Sequence, residues 1–131
     1  MSMSRATDSA IYMKCTVVFG SSAAASAFVQ AFSGDAKWIA QHVSYFLYVL
    51  PDGVTCCWTI VHASSALLVE SWRYLLNNAD LMVRFRCAAR AEWHVVGALS
   101  ADAAAELEKF TAAFPQVNVK RCAVRGGYVA K

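Results

Sequence analysis

Apolar positions run almost unbroken from Tyr12 to Phe19, a β-branched and aromatic stretch closed by Gly20, and this predicts a first strand. Lys14 within it argues that one face of that strand is not fully buried. Ser21 or Ser22 then offers an N-cap, and Phe28, Val29 and Phe32 fall on one side of a helix. Gly34-Asp35 interrupts it, and Trp38, Ile39 and Val43 carry the helical spacing a little further. Two strand runs, Tyr45 to Leu50 and Val54 to Val61, flank Pro51-Asp52-Gly53, whose Asp-Gly pair supplies the positive φ of a tight hairpin.

Ser64 or Ser65 opens a second helix with Leu67, Leu68, Trp72, Leu75 and Leu76 on one stripe and Glu70 and Arg73 off it. Asn77-Asn78 ends that segment. A further helical piece is expected from Asp80 to about Arg90, with its arginines toward water and its C-terminus. Trp93 to Val96 reads as a short strand closed by Gly97. Ser100 caps a third main helix, in which Leu107, Phe110 and Phe114 share a face and which Pro115 stops. Val117 to Val124 is the last strand, before Arg125-Gly126-Gly127-Tyr128. The order β-α-β-β-α-α-β-α-β predicts an α+β fold, close to the ferredoxin-like split βαβ, with an antiparallel sheet, helices on one face, and an appended helix and strand. Residues 1–10, with Arg5 and Asp8 among serines, read as a disordered lead-in to a single domain over 11–131.

The hairpin constrains more than topology. Phe46, Tyr48 and Leu50 point one way and Tyr45, Leu47 and Val49 the other, yet both sets are apolar. Cys56, Trp58, Ile60 and His62 share one face of the second hairpin strand, with Thr55, Cys57, Thr59 and Val61 on its reverse. A sheet with one wet face would alternate polar and apolar positions, so something besides helices must cover the second face. A second copy of the chain is the expected cover, making the protein a homodimer.

Composition narrows the class. With 131 residues, 58% hydrophobic and 16% charged, the chain is one apolar domain and not a disordered linker. No segment reads as a signal peptide or a membrane span, so a cytoplasmic location without membrane contact is expected. The five cysteines are odd in number and fit reduced apolar fillers. Cys56 and Cys57 are adjacent on a strand and point to opposite faces, which disfavours a metal site. The net charge of +3 permits nucleic acid without indicating it, and no aromatic-plus-glycine RNA-binding signature accompanies the basic clusters at Arg84, Arg86 and Arg90 or at Lys120, Arg121 and Arg125. No phosphate-binding glycine loop occurs, so no nucleotide cofactor is expected.

The stretch YFLYVLPDGVTCCWTIVHASSALLVESW, from Tyr45 to Trp72, and the later WHVVGALSADAAAELEKF, from Trp93 to Phe110, resemble the antibiotic biosynthesis monooxygenase-like, dimeric α/β-barrel proteins. The resemblance implies two ferredoxin-like sheets paired into a dimeric α/β barrel, which would supply the missing cover. It also implies chemistry that ranges from cofactor-independent oxygenation of aromatic polyketides and quinols to haem degradation. The helix position where many relatives carry a histidine corresponds to Glu70 here.

Candidate site residues follow from both readings. His62, on the face of Trp58, could position a substrate hydroxyl or take its proton; the plainer reading is a strand-end histidine bonded to backbone. Trp58, Trp72, Tyr45 and Tyr48 could wall a pocket for a planar aromatic ligand or simply be core, and Tyr45 and Tyr48 cannot both line it. His94 lies opposite Trp93 and fits a surface role, while His42 fits a helix-end partner. The expected site is therefore His62 as base, with Trp58, Trp72, Tyr48 and Glu70 binding an apolar or aromatic ligand, and no metal or cofactor. The alternative is a non-catalytic homodimer that binds a ligand or partner.

Overall fold

Three serines start the three main helices by the same device, a side-chain oxygen accepting from a backbone N–H three residues on. Ser21 caps α1 (Ser22–Ser33), Ser64 caps α3 (Ser65–Leu76) and Ser100 caps α5 (Ala101–Ala113). In this computed structural model, which describes residues 3–5, 10–123 and 128–130, two short helices complete the set. Asp35 caps α2 (Ala36–Ala40) and Asn78 caps α4 (Ala79–Arg86). No helix among the described residues is long and apolar enough to cross a membrane.

Five strands form the main sheet: β2 (Ile11–Phe19), β3 (Ser44–Val49), β4 (Thr55–His62), β5 (Ala88–Val96) and β6 (Val117–Cys122), in the order β3-β4-β2-β5-β6. The first four are antiparallel, with β4 lying between β3 and β2 as the split βαβ plan requires. The last pair corrects the expectation of a wholly antiparallel sheet. β6 runs parallel to β5 because α5 crosses over between them. The β3–β4 turn is as expected: Gly53 has φ +75, and Asp52 accepts from Val54 N, Thr55 N and the Thr55 hydroxyl at 3.0, 2.9 and 2.6 Å.

Two expectations fail locally. The helix expected to reach Arg90 stops at Arg86, since residues from Ala88 onward pair with β2 and that ladder outweighs helical periodicity. Within the segment read as a disordered lead-in, Met3–Arg5 forms β1, paired antiparallel with β7 (Tyr128–Ala130); each supplies the other's backbone partners. Val124 and the Arg125-Gly126-Gly127 segment lie outside the described residues.

Strand alternation decides which face is dry. Ile11, Met13, Cys15, Val17 and Phe19 of β2 and Cys56, Trp58, Ile60 and His62 of β4 all face the helices and are buried. On α3 the buried stripe is Leu68, Val69, Ser71, Trp72 and Leu75, and Leu67 is turned outward. Two aromatic clusters fill the layer. One surrounds Trp58 with Phe28, Phe32, Trp38 and Tyr45; the other surrounds Trp93 with Trp72, Phe85 and Phe110. Burial of each such ring contributes about 1.5–3 kcal/mol. Among the described residues the opposite face of the sheet carries no helix. Phe46 is 64% and Tyr48 42% exposed there, so the second apolar face inferred from the hairpin is left uncovered at these positions by the described residues.

Candidate functional site

The parity of β4 places His62 four residues from Trp58 on the dry face, at the end of the strand. What it meets there comes from α2. Asp35 Oδ1 accepts from Trp38 N at 2.8 Å, and the Tyr74 hydroxyl donates to the same carboxylate, 2.9 and 2.8 Å from its two oxygens. This ties the start of α2 to α3 and fixes where its short length ends. The chain then turns so that His42 packs its ring 4.6 Å from Trp38 and 4.7 Å from His62, centroid to centroid. On α3, the buried Ser71 hydroxyl lies 3.2 Å from His42 Nε2 and shares a hydrogen bond with it. The Tyr45 hydroxyl accepts from Trp58 Nε1 at 2.9 Å and closes the group.

The electrostatics of this group follow from its dryness. Burial pushes His62 down from 6.5 to about 3, with the neighbouring His42 adding to the effect. His42 is pushed down to about 4 by burial, partly opposed by the Ile39 and Trp38 carbonyls. Burial raises the Tyr45 hydroxyl above its ordinary value. At neutral pH both imidazoles are therefore uncharged. His62 is 1% exposed, and among the described residues neither of its ring nitrogens has a hydrogen-bond partner. Each unpaired buried nitrogen costs about 1–3 kcal/mol.

The structure brings together only part of the expected site. His62 and Trp58 share one face and one cluster. Trp72 is buried but belongs to the other cluster, stacked on Trp93 at 6.3 Å. Tyr48 is on the uncovered face of the sheet, beside Phe46 at 5.8 Å, so a pocket containing Trp58 excludes it; strand alternation is the reason. Glu70 is on the exposed side of α3, away from the buried stripe, because helical spacing turns it outward. His42 and Ser71 were missed. Ser71 lies one residue from the Trp72 stripe, which is a usable signal, whereas His42 depends on where α2 packs.

Cys15, Cys56 and Cys57 are buried as the filler reading expects, and burial raises Cys15 far above its ordinary value and Cys56 to about 11, whereas Cys87 is exposed and Cys122 half-buried, so those two are not fillers. No group of three or more His, Cys, Asp or Glu side chains suited to a metal ion occurs among the described residues. Open cavities occur among the described residues. One of about 470 Å³ lies on the uncovered face of the sheet, and one of about 530 Å³ lies between the ends of α1, α2 and α4 near Asp35, Asp80 and Arg84. Neither is lined by His42 or His62.

No protein-family model matches the chain, and no curated protein matches it either. Among solved structures, MupZ from Pseudomonas fluorescens is similar at TM-score 0.46 and 19% identity, over 89% of this chain and 94% of that one. SnoaB, a cofactor-independent oxygenase from Streptomyces nogalater, is similar at TM-score 0.46 and 17% identity, over 71% of this chain and 95% of that one. At those values the chemistry of this chain rests on its own residues.

Proposed function

We propose that this chain is a homodimeric small-molecule-binding protein of the antibiotic biosynthesis monooxygenase-like, dimeric α/β-barrel kind, acting on a hydroxylated aromatic or quinol-like substrate with His62 as the base. The observation that carries the reading is the neutral His42–His62 pair, walled by Trp38, Trp58 and Tyr45, with both nitrogens of His62 unpaired. A desolvated neutral imidazole accepts a hydrogen bond from a substrate hydroxyl. As the proton moves, the phenolate formed beside it raises the basicity of the ring, and the two products remain as an ion pair in a dry site. Trp38 and Trp58 offer flat faces to the ring. An electron-rich ring that gives two electron pairs to one O₂ keeps one oxygen atom and releases the other as water, so the substrate is its own reductant. Entry requires α2 to move, since His62 is closed off in this arrangement.

The test is oxygen uptake with 1,8-dihydroxyanthrone at neutral pH, together with quenching of tryptophan fluorescence on binding. Uptake lost in His62→Ala with quenching retained supports the base. Equal uptake in both proteins, faster than without protein, rejects His62 as the base; quenching with uptake no faster than without protein assigns the alternative, a non-catalytic binding protein, which the closed position of His62 favours. For the dimer, the uncovered Phe46 and Tyr48 are the contact: sedimentation should give two chains, and Phe46→Lys should give one. A wild-type monomer would reject the barrel.

A further inference from the structure

On the uncovered face, three adjacent strands set out a grid of polar side chains by register. Lys14, His94 and Lys120 form one row across β2, β5 and β6, and Thr16, Glu92 and Asn118 form the next. Val18 and Arg90 follow on β2 and β5. Glu92 accepts from two neighbours in the first row, His94 Nε2 at 2.7 Å and Lys120 Nζ at 3.3 Å. These partners, His94 foremost, hold the Glu92 carboxyl below the usual range, so it is ionised and already neutralised. Lys14 and Arg90 have no carboxylate within ion-pair distance among the described residues.

The cavity of about 470 Å³ opens at this grid, lined by Arg90, Glu92, Thr16, Val18, Gln116 and Asn118. We infer that it is a binding site for a small hydroxylated organic carboxylate, anchored by Arg90. A guanidinium matches a carboxylate through two parallel N–H donors, which a lysine cannot do. The Gln116 and Asn118 amides and the Thr16 hydroxyl both donate and accept, which suits further oxygens of the ligand. Val18 supplies an apolar flank for its carbon body. The volume falls within the roughly 300–1,000 Å³ of sites that hold small organic molecules, and an inorganic ion would leave most of it wet. The site lies across the sheet from His62 and does not use it; it shares the uncovered face with the proposed dimer contact but sits on β2, β5 and β6, away from Phe46 and Tyr48 on the β3 edge.

The test is calorimetric titration of the full chain with citrate at near-physiological salt. One saturable site per chain with a dissociation constant below about 1 mM is expected. Arg90→Gln should weaken it about tenfold or more without changing the melting temperature, while Arg84→Gln on α4 should leave it unchanged. Any of three results overturns the assignment: no binding at about 10 mM citrate, equal weakening by both variants, or inorganic phosphate bound as tightly as citrate.

Discussion

Acid should act on the His42–His62 pair before it reaches any carboxylate. In the unfolded chain both imidazoles take up protons near pH 6.5, whereas in the fold His42 resists until about 4 and His62 until about 3. Above 6.5 neither state is charged and the pair is indifferent to pH. Below it, the unfolded state binds protons that the native state refuses, so stability falls with falling pH. At pH 5 the loss is about 2 kcal/mol for each histidine and about 4 kcal/mol for both, at about 1.36 kcal/mol per unit. That is a large share of the roughly 5–15 kcal/mol that holds a domain together. Glu92, Glu106 and Asp52, all held below their ordinary range, add their losses only under about pH 4.5. The assay is urea denaturation followed by tryptophan fluorescence at pH 7, 6 and 5. His62→Leu removes one of the two contributions, so its loss between pH 7 and 5 should be smaller by about 2 kcal/mol. It should also raise stability at pH 7 by about 1 kcal/mol or more, since two unpaired nitrogens disappear. Parallel pH profiles for the two proteins, or a His62 resonance titrating near its ordinary value in the folded chain, would refute the reasoning.

Other changes have expected costs. Gly53→Ala puts a Cβ on a residue at φ +75 and should cost about 1–2 kcal/mol by thermal unfolding, with no change in the site. Trp58→Ala empties the centre of one aromatic cluster and should cost about 3–5 kcal/mol in a urea titration. Tyr74→Phe removes the hydroxyl that donates to Asp35; hydrogen exchange should quicken across Ala36–Ala40 while the amides of β2 and β4 keep their protection.

Local chemistry was legible wherever a side chain acts within a few residues of itself. The Ser21, Ser64 and Ser100 caps and the Asp52-Gly53 turn are of this kind. Alternation along β4 likewise put His62 and Trp58 on one face; along β3 it set Tyr45 and Tyr48 apart but not which of them joins Trp58, and the expected Tyr48 is the one that does not. Helical spacing had already set Glu70 off the buried stripe, and only the family resemblance drew it toward a site. What escaped depends on contacts distant in sequence. Which of two aromatic clusters receives Trp72 is decided by how α3 and α5 pack, and Arg90 lies in a strand because β2 pairs with it. His42 reaches His62 through contacts distant in sequence: Ser71 on α3 bonds its ring, and Val43 N beside it donates to Val61 O at 2.8 Å.

The two edges of the main sheet are guarded very differently. β6 carries Lys120 and Arg121, and a second molecule trying to extend the sheet there would have to accommodate those charges. β3, at the other edge, is Ser-Tyr-Phe-Leu-Tyr-Val, with no charge, glycine or proline to stop strand-on-strand growth. Six residues of that character are the signature of a segment prone to form fibres when left bare. Aggregation of this protein, when concentrated or partly unfolded, should therefore start at β3, and a lysine introduced into that strand should delay it.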